Sequence, residues 1–223
     1  MKIATWNIER LKHYKDIEKI LNTCESSNAD ILVLTETDER IRPDYKYYYH
    51  TPLLKELRPD YYRPTENRVS IYSNYKFVRQ HETFDRYTSL CVELETAGGN
   101  LLVYGTIMGI FGNREKSFKV DLIKQMVDIR RLSNEEHNIC IIGDYNLSFC
   151  DNYYYTRFGR ETVKKTFSEC GISILTHDRA ECIDHIAVSD GFVGNTKISI
   201  DEWNYDKKLS DHRGIIVDIG VRF

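Results

Sequence analysis

Apolar residues recur every three or four positions at Ile17, Ile20, Leu21 and Cys24, which predicts a helix over 16–24. The apolar run Ile31-Leu32-Val33-Leu34 after Asp30 predicts a buried strand, so the chain opens strand, helix, strand. From Arg40 to Pro64 the periodicity fails. That stretch holds all four prolines, Pro43, Pro52, Pro59 and Pro64, interleaved with six tyrosines between Tyr45 and Tyr62, and is expected to be a long loop. Long loops in compact domains are more often functional than ornamental, although a tyrosine-rich one can equally pack onto the core.

Strands are predicted at Val69 to Tyr72, Leu90 to Leu94 and Leu101 to Tyr104, with hairpin turn chemistry in Ala97-Gly98-Gly99-Asn100 between the last two. Phe118, Leu122, Ile123, Met126, Ile129 and Leu132 then follow a helical period. The apolar strand Ile139 to Ile142 delivers Gly143-Asp144-Tyr145-Asn146 at its carboxyl end. Another helix is expected over 161–170, stopped by Gly171, before closing strands at Ile183 to Val188 and Gly214 to Val221. No repeat, low-complexity tract or linker divides the 223 residues, so one domain is expected.

A formal charge of -3 and a pI near 6.2 provide no overall basic field for a polyanion. A nucleic-acid substrate therefore requires a local basic patch or a bound cation. The amino terminus enters a strand with no signal-peptide core behind it, and no run approaches the ~20 apolar residues that cross a bilayer. A soluble, cytoplasmic protein with no membrane span is expected. Six cysteines lack short paired spacings and suggest neither a zinc site nor a disulfide framework.

Five segments share one design, an apolar strand that ends in or carries acids and amides: Thr5-Trp6-Asn7-Ile8-Glu9, Leu34-Thr35-Glu36-Thr37, Gly143-Asp144-Tyr145-Asn146, Ile183-Asp184-His185-Ile186 and Leu209-Ser210-Asp211-His212. Strand ends let polar side chains converge on one crevice while staying rigidly held. A cluster of Glu36, Asp144, Asp184 and Asp211 would repel itself unless a divalent cation or a histidinium held it. Carboxylate and carboxamide oxygens suit Mg²⁺ or Mn²⁺ rather than zinc.

In this order and over nearly the whole chain, these segments resemble the endonuclease/exonuclease/phosphatase superfamily, which includes exonuclease III, deoxyribonuclease I and the inositol polyphosphate 5-phosphatases. The resemblance implies an α/β four-layer sandwich, two packed mixed β-sheets flanked by helices, with the site at one edge of the sheets. It implies Asn7, Glu36 and Asp211 at the metal, and catalytic roles for Asp144, Asn146, Asp184 and His212. Asp144 then orients or deprotonates the attacking water, Asn146 donates to phosphoryl oxygens, and His212 pairs with Asp184.

Two departures concern substrate binding. Ile107 stands where many relatives carry a histidine, and Tyr104 is a loose match to a tyrosine that abasic-site endonucleases place nearby. Arg68 replaces a usual small residue and is a candidate contact to phosphate. Alternation along strands turns Asp38 and His185 away from the site, whereas Glu9 shares the face of Asn7 and stays open as a second acid. The remaining histidines, His13, His50, His81, His137 and His177, read as surface or packing residues. Tyr45 to Tyr49 and Tyr153 to Tyr155 could stack bases, though a packing role is favoured for these clusters. The expectation is a hydrolase with Mg²⁺ or Mn²⁺ acting on phosphodiester bonds, foremost in nucleic acid. A phosphatase or phosphodiesterase for a small soluble or lipid-derived phosphate ester is the runner-up, and a silent binding module comes third.

Overall fold

A computed structural model describes residues 1–134 and 138–220; His137 and the Val221 end of the last expected strand lie outside them. The chain opens with β1 (Lys2–Asn7), α1 (Ile17–Ser26), β2 (Ile31–Asp38), β3 (Tyr47–His50) and β4 (Glu66–Ser73). It crosses into β5 (Lys76–His81), β6 (Ser89–Thr96) and β7 (Gly99–Ile107), then α2 (Lys116–Asn134) and β8 (Asn138–Asp144). Then come α3 (Arg157–Glu169), β9 (Ile172–Ile174), β10 (Asp184–Ser189) and the single turn α4 (Asp190–Val193), before β11 (Ile198–Trp203) and β12 (Gly214–Ile219). Two mixed six-stranded sheets result, in the orders β11-β12-β1-β2-β4-β3 and β5-β6-β7-β8-β10-β9.

Alternation along the central strands explains the layers. Ile3, Ile31, Val33, Val69 and Ile71 of the first sheet pack against Val92, Val103, Cys140, Ile142 and Ile186 of the second. The intervening positions Ala4, Trp6, Leu32 and Leu34 face outward onto Ile20 and Cys24 of α1. On the other side, Leu102, Tyr104, Ile139 and Ile141 face Leu122, Met126 and Ile129 of α2 and Phe167 of α3. Helix, sheet, sheet and helix thus form the four-layer sandwich implied by the sequence. No helix among the described residues is long and apolar enough to cross a membrane.

Register then fixes where the polar ends fall. β1 and β2 are parallel with Asn7 beside Thr35, β7 and β8 are parallel with Ile107 beside Asp144, and antiparallel β10 sets Asp184 directly opposite Asp144. Polar residues therefore converge at one end of both sheets. Gly143, immediately before Asp144, has φ +133°, and a Cβ there would collide with the Thr106 carbonyl oxygen. Gly143→Ala is expected to lower the unfolding free energy by about 3 kcal/mol in chemical denaturation, since strain and a backbone clash act together. A loss within experimental error would mean that this strand end is not rigid.

The loop expected over 40–64 contains the edge strand β3 and a 3₁₀ turn at Leu54–Glu56. Its tyrosines mostly pack: Tyr45 and Tyr48 lie against Tyr72, and Tyr49 stacks on Phe77.

Candidate active site

Glu36 reaches the site through a backbone distortion. Strict alternation would send it outward with Leu32 and Leu34, but its φ of +45° breaks the β geometry and brings its carboxylate to Asn7. The Asn7 amide nitrogen donates to Glu36 Oε1 at 3.4 Å and to Asp144 Oδ2 at 3.1 Å, while its oxygen accepts the Glu9 N–H at 2.9 Å. One buried amide therefore bridges two carboxylates. Asp144 is buried, its Oδ1 accepting the backbone N–H of Asn146 at 2.8 Å. Burial pushes its pKa up to about 7; His212 opposes the rise, and the charges of Asp184 and Glu36 add to it.

Opposite this cluster, His212 Nδ1 donates to Asp184 Oδ2 at 2.5 Å. The carboxylate acceptor fixes the tautomer and leaves Nε2 facing the site. Burial alone would lower the imidazole pKa, but the touching Asp184 charge and hydrogen bond overcome it and raise it to about 10, with Asp144 and Asp211 adding. The other carboxylate oxygen of Asp184, Oδ1, is buried without a partner among the described residues.

The loop that carries His212 is secured on several sides. Asn204, itself at φ +58°, donates to the Ser210 and His212 carbonyl oxygens and accepts from Leu209 N–H. Ser210 Oγ donates to the Asn7 carbonyl and accepts the His212 N–H. Trp6 Nε1 also donates to the His212 carbonyl, so β1 holds both halves of the site. Glu9 accepts the Asp211 N–H and pairs with Lys12, which makes it a brace for this loop. Asn204 and the hydroxyl of Ser210 escaped sequence reasoning, because no charge or periodic pattern marks them.

Asn7, Glu36, Asp144, Asp184 and His212 thus come together. Asp211 is 68% exposed, and its carboxylate lies 3.5 Å from His212 Nε2, on the dyad's side of the site. Asn146, at φ +51°, donates its amide N–H groups to the Met108 and Gly109 carbonyls and to Asp144, so a phosphoryl oxygen would have to displace one of these acceptors. Its own carbonyl accepts from buried Asn113, another residue without a sequence signal. Arg68 lines a cleft with Glu36.

Tyr104 corrects an expectation. It shares the outer face of its strand with Leu102, is fully buried under α2, and its hydroxyl donates to Asp128, so it cannot touch a substrate at the strand ends. His185 is likewise turned away, bonded to Thr176 Oγ1 and the Leu147 carbonyl, and Asp38 binds Arg40, as alternation suggested. Tyr153 and Tyr154 rim a cleft beside His212, with Lys207 donating to the Tyr153 hydroxyl.

The two titrating residues make stability fall with pH in chelator. Asp144, an acid with a raised pKa, destabilises the fold increasingly as pH climbs from about 4 to about 7. His212 contributes stability that is complete below about pH 6.5 and disappears as pH rises through about 10. The alkaline loss is expected to be on the order of 3 kcal/mol. Thermal unfolding from pH 6 to 10 should show a fall in Tm that is much shallower in His212→Gln; equal slopes would remove the dyad as its source.

A family model described as the Endonuclease/Exonuclease/phosphatase family matches residues 4–212. Comparison with curated proteins returned no match. Among solved structures, a 3′ phosphatase from Neisseria bound to a product DNA hairpin superimposes with TM-score 0.72 at 16% identity, covering 99% of this chain and 100% of that one. An AP endonuclease from Archaeoglobus fulgidus aligns with TM-score 0.67 at 12% identity over 99% of this chain and 100% of the other. An endonuclease/exonuclease/phosphatase from Beutenbergia cavernae has TM-score 0.71 at 14% identity, covering 99% and 72%. These structural likenesses concern the fold; the sequence match over 4–212 shows that the chain belongs to the Endonuclease/Exonuclease/phosphatase family of phosphoester hydrolases.

Proposed function

We propose that this protein hydrolyses phosphodiester bonds with a divalent cation, Mg²⁺ or Mn²⁺, and that nucleic acid is its substrate. The observation that carries the reading is the Asp184–His212 pair facing a carboxylate and amide cluster built from Asn7, Glu36 and Asp144. Two carboxylates sharing one amide nitrogen call for a positive charge between them. No three His, Cys, Asp or Glu side chains among the described residues form a ready-made ion cage. The donor set instead fits a hard cation that takes one or two carboxylates and completes its shell with water and substrate oxygens.

Glu36 and Asn7 would hold that cation, with Asp144 beside them and Asp211 reaching it through water. When bound it would neutralise the phosphate and its leaving oxygen. Asp144 Oδ2 orients the attacking water and accepts its proton, a task suited to a carboxyl held near neutrality. The His212 imidazolium donates from Nε2 to a nonbridging phosphoryl oxygen, while Asp184 keeps Nδ1–H fixed and the ring charged. Asn146 braces Asp144 and, on displacing a carbonyl, offers its amide to the substrate.

Nucleic acid is supported by the Neisseria neighbour, a 3′ phosphatase bound to a product DNA hairpin, and by the aromatic rim of Tyr153 and Tyr154 next to His212. The free thiols of Cys24, Cys140, Cys150, Cys170 and Cys182 are in keeping with a reducing, cytoplasmic setting. The compact Glu36 cleft keeps a small phosphate ester as the second reading. The deciding experiment is hydrolysis by the purified protein of single-stranded DNA, abasic duplex, RNA, bis(p-nitrophenyl) phosphate and inositol phosphates, with Mg²⁺, Mn²⁺ or chelator. Polymer cleavage abolished by chelator supports the reading; activity on small phosphates alone supports the second, and activity indifferent to chelator sinks both.

A further inference from the structure

Arg68 is an unusual cation for its surroundings. Only 6% exposed, it donates to one side-chain partner, the neutral hydroxyl of Tyr62 at 3.2 Å, and no carboxylate among the described residues lies within ion-pairing distance of it. Buried charges are normally paired, because an isolated one keeps its desolvation penalty. Glu36 is its cross-strand neighbour, as the flanking pairs Thr35–Val69 and Thr37–Asn67 fix, but the distorted backbone turns that carboxylate to Asn7. The guanidinium therefore stands beside the reaction site with no carboxylate among the described residues in contact with it.

The space it lines is built to receive something. Arg68 and Glu36 share a cleft of about 200 Å³ with Arg10, floored by Leu54 and Ile107 and rimmed by Tyr61. Arg10 lies over the rings of Tyr61 and Tyr62, 5.4 and 5.3 Å from their centroids, and its nearest carboxylate, Glu66, is shared with Arg63. The Arg10 guanidinium is held over two aromatic rings and that of Arg68 by the Tyr62 hydroxyl, and such forks match phosphate oxygens with little loss of side-chain freedom. The cleft has room for a phosphate group and waters but not for a duplex. The apolar floor strengthens any charge-assisted hydrogen bond made there.

We propose that Arg68, assisted by Arg10, binds a second phosphate of the substrate, one linkage removed from the phosphate being hydrolysed and on the Glu36 side of it. The inference rests on the proposed phosphoesterase reading and sharpens it: the preferred substrate carries two phosphates in sequence. A flanking phosphate of a nucleic-acid strand and a second phosphate of a small molecule share this chemistry.

The test compares thymidylyl-thymidine with its 5′-phosphorylated and 3′-phosphorylated forms, and inositol monophosphate with a bisphosphate. Turnover is followed in the wild type, and affinity by calorimetry in His212→Ala. One added phosphate should lower KM and Kd roughly tenfold or more with kcat little changed. Arg68→Met should erase that gain and Arg68→Lys should restore part of it. Tyr62→Phe, which removes only the hydroxyl anchor, should reduce it to a few-fold and serves if Arg68→Met does not fold. A gain confined to dinucleotides identifies a strand as the source, and one confined to inositol phosphates a small molecule. A gain that persists in Arg68→Met, or no gain from any added phosphate in KM or Kd, overturns the inference. Turnover without a phosphate gain overturns the inference and leaves the phosphoesterase reading standing, whereas Arg68-dependent binding without turnover removes that reading, and with it the placing of the Arg68 phosphate site beside a hydrolysed linkage.

Discussion

His212→Ala is expected to lower kcat by about 10³-fold, with a much smaller change in KM, because the imidazolium meets charge that builds up in the transition state. The geometry sets the sign of a second effect. Removing the imidazole leaves Asp184 buried with neither oxygen partnered, a situation that costs about 3–5 kcal/mol when one member of a buried pair is deleted. His212→Ala should therefore be both inactive and less stable, and a loss of rate alone would not distinguish chemistry from unfolding. Asp184→Asn separates them. It keeps a hydrogen-bond partner for Nδ1 but lets the imidazole fall from about 10 toward its ordinary value, so activity should disappear as pH rises through about 7. The wild type should hold the imidazolium across that range. An Asp184→Asn profile parallel to the wild type's would rule out charge on His212 as the contribution to rate.

The same pair shows what a sequence can and cannot reveal. Asp144, Asp184 and His212 were legible because each ends or begins an apolar strand, and strand ends meet where the register is fixed by burial on both faces. The central helices and strands were legible for that reason too. The strands that escaped, β3, β5, β9 and β11, lie at or next to sheet edges, where one face is solvated and the apolar alternation that marks a strand is broken. Tyr104 was misplaced although alternation was available: Val103 packs between the sheets, so its neighbour must face α2. Glu36 is the opposite case. Alternation alone would have turned it away, and only its left-handed backbone brings it in. The Arg68 cleft could not be read, since Arg10, Leu54, Tyr61 and Ile107 come from separate loops and strands whose meeting is a property of the packed sheets.

Glu36→Gln is the second change with a large expected effect, and it acts on cation binding rather than on the dyad. The substitution keeps the size and an acceptor oxygen of the side chain that Asn7 contacts, but removes the negative charge. Hydrolysis with Mg²⁺ should fall at least about 10²-fold, in the range seen when a metal's outer or inner partner is lost. Stability supplies an independent readout. A cation at about a hundredfold its Kd stabilises the wild type by ~2.7 kcal/mol, so Mn²⁺ should raise the wild-type Tm and leave that of Glu36→Gln nearly unchanged. In chelator the order reverses. The Glu36 charge is one of the influences that raise the Asp144 pKa, so removing it relieves repulsion in the empty cluster. Metal-free Glu36→Gln should thus melt at or above the wild type near pH 7, where Asp144 is titrating. A variant that melts lower in chelator, yet still gains as much from Mn²⁺ as the wild type, would show that Glu36 is a structural acid and that the cation is held elsewhere.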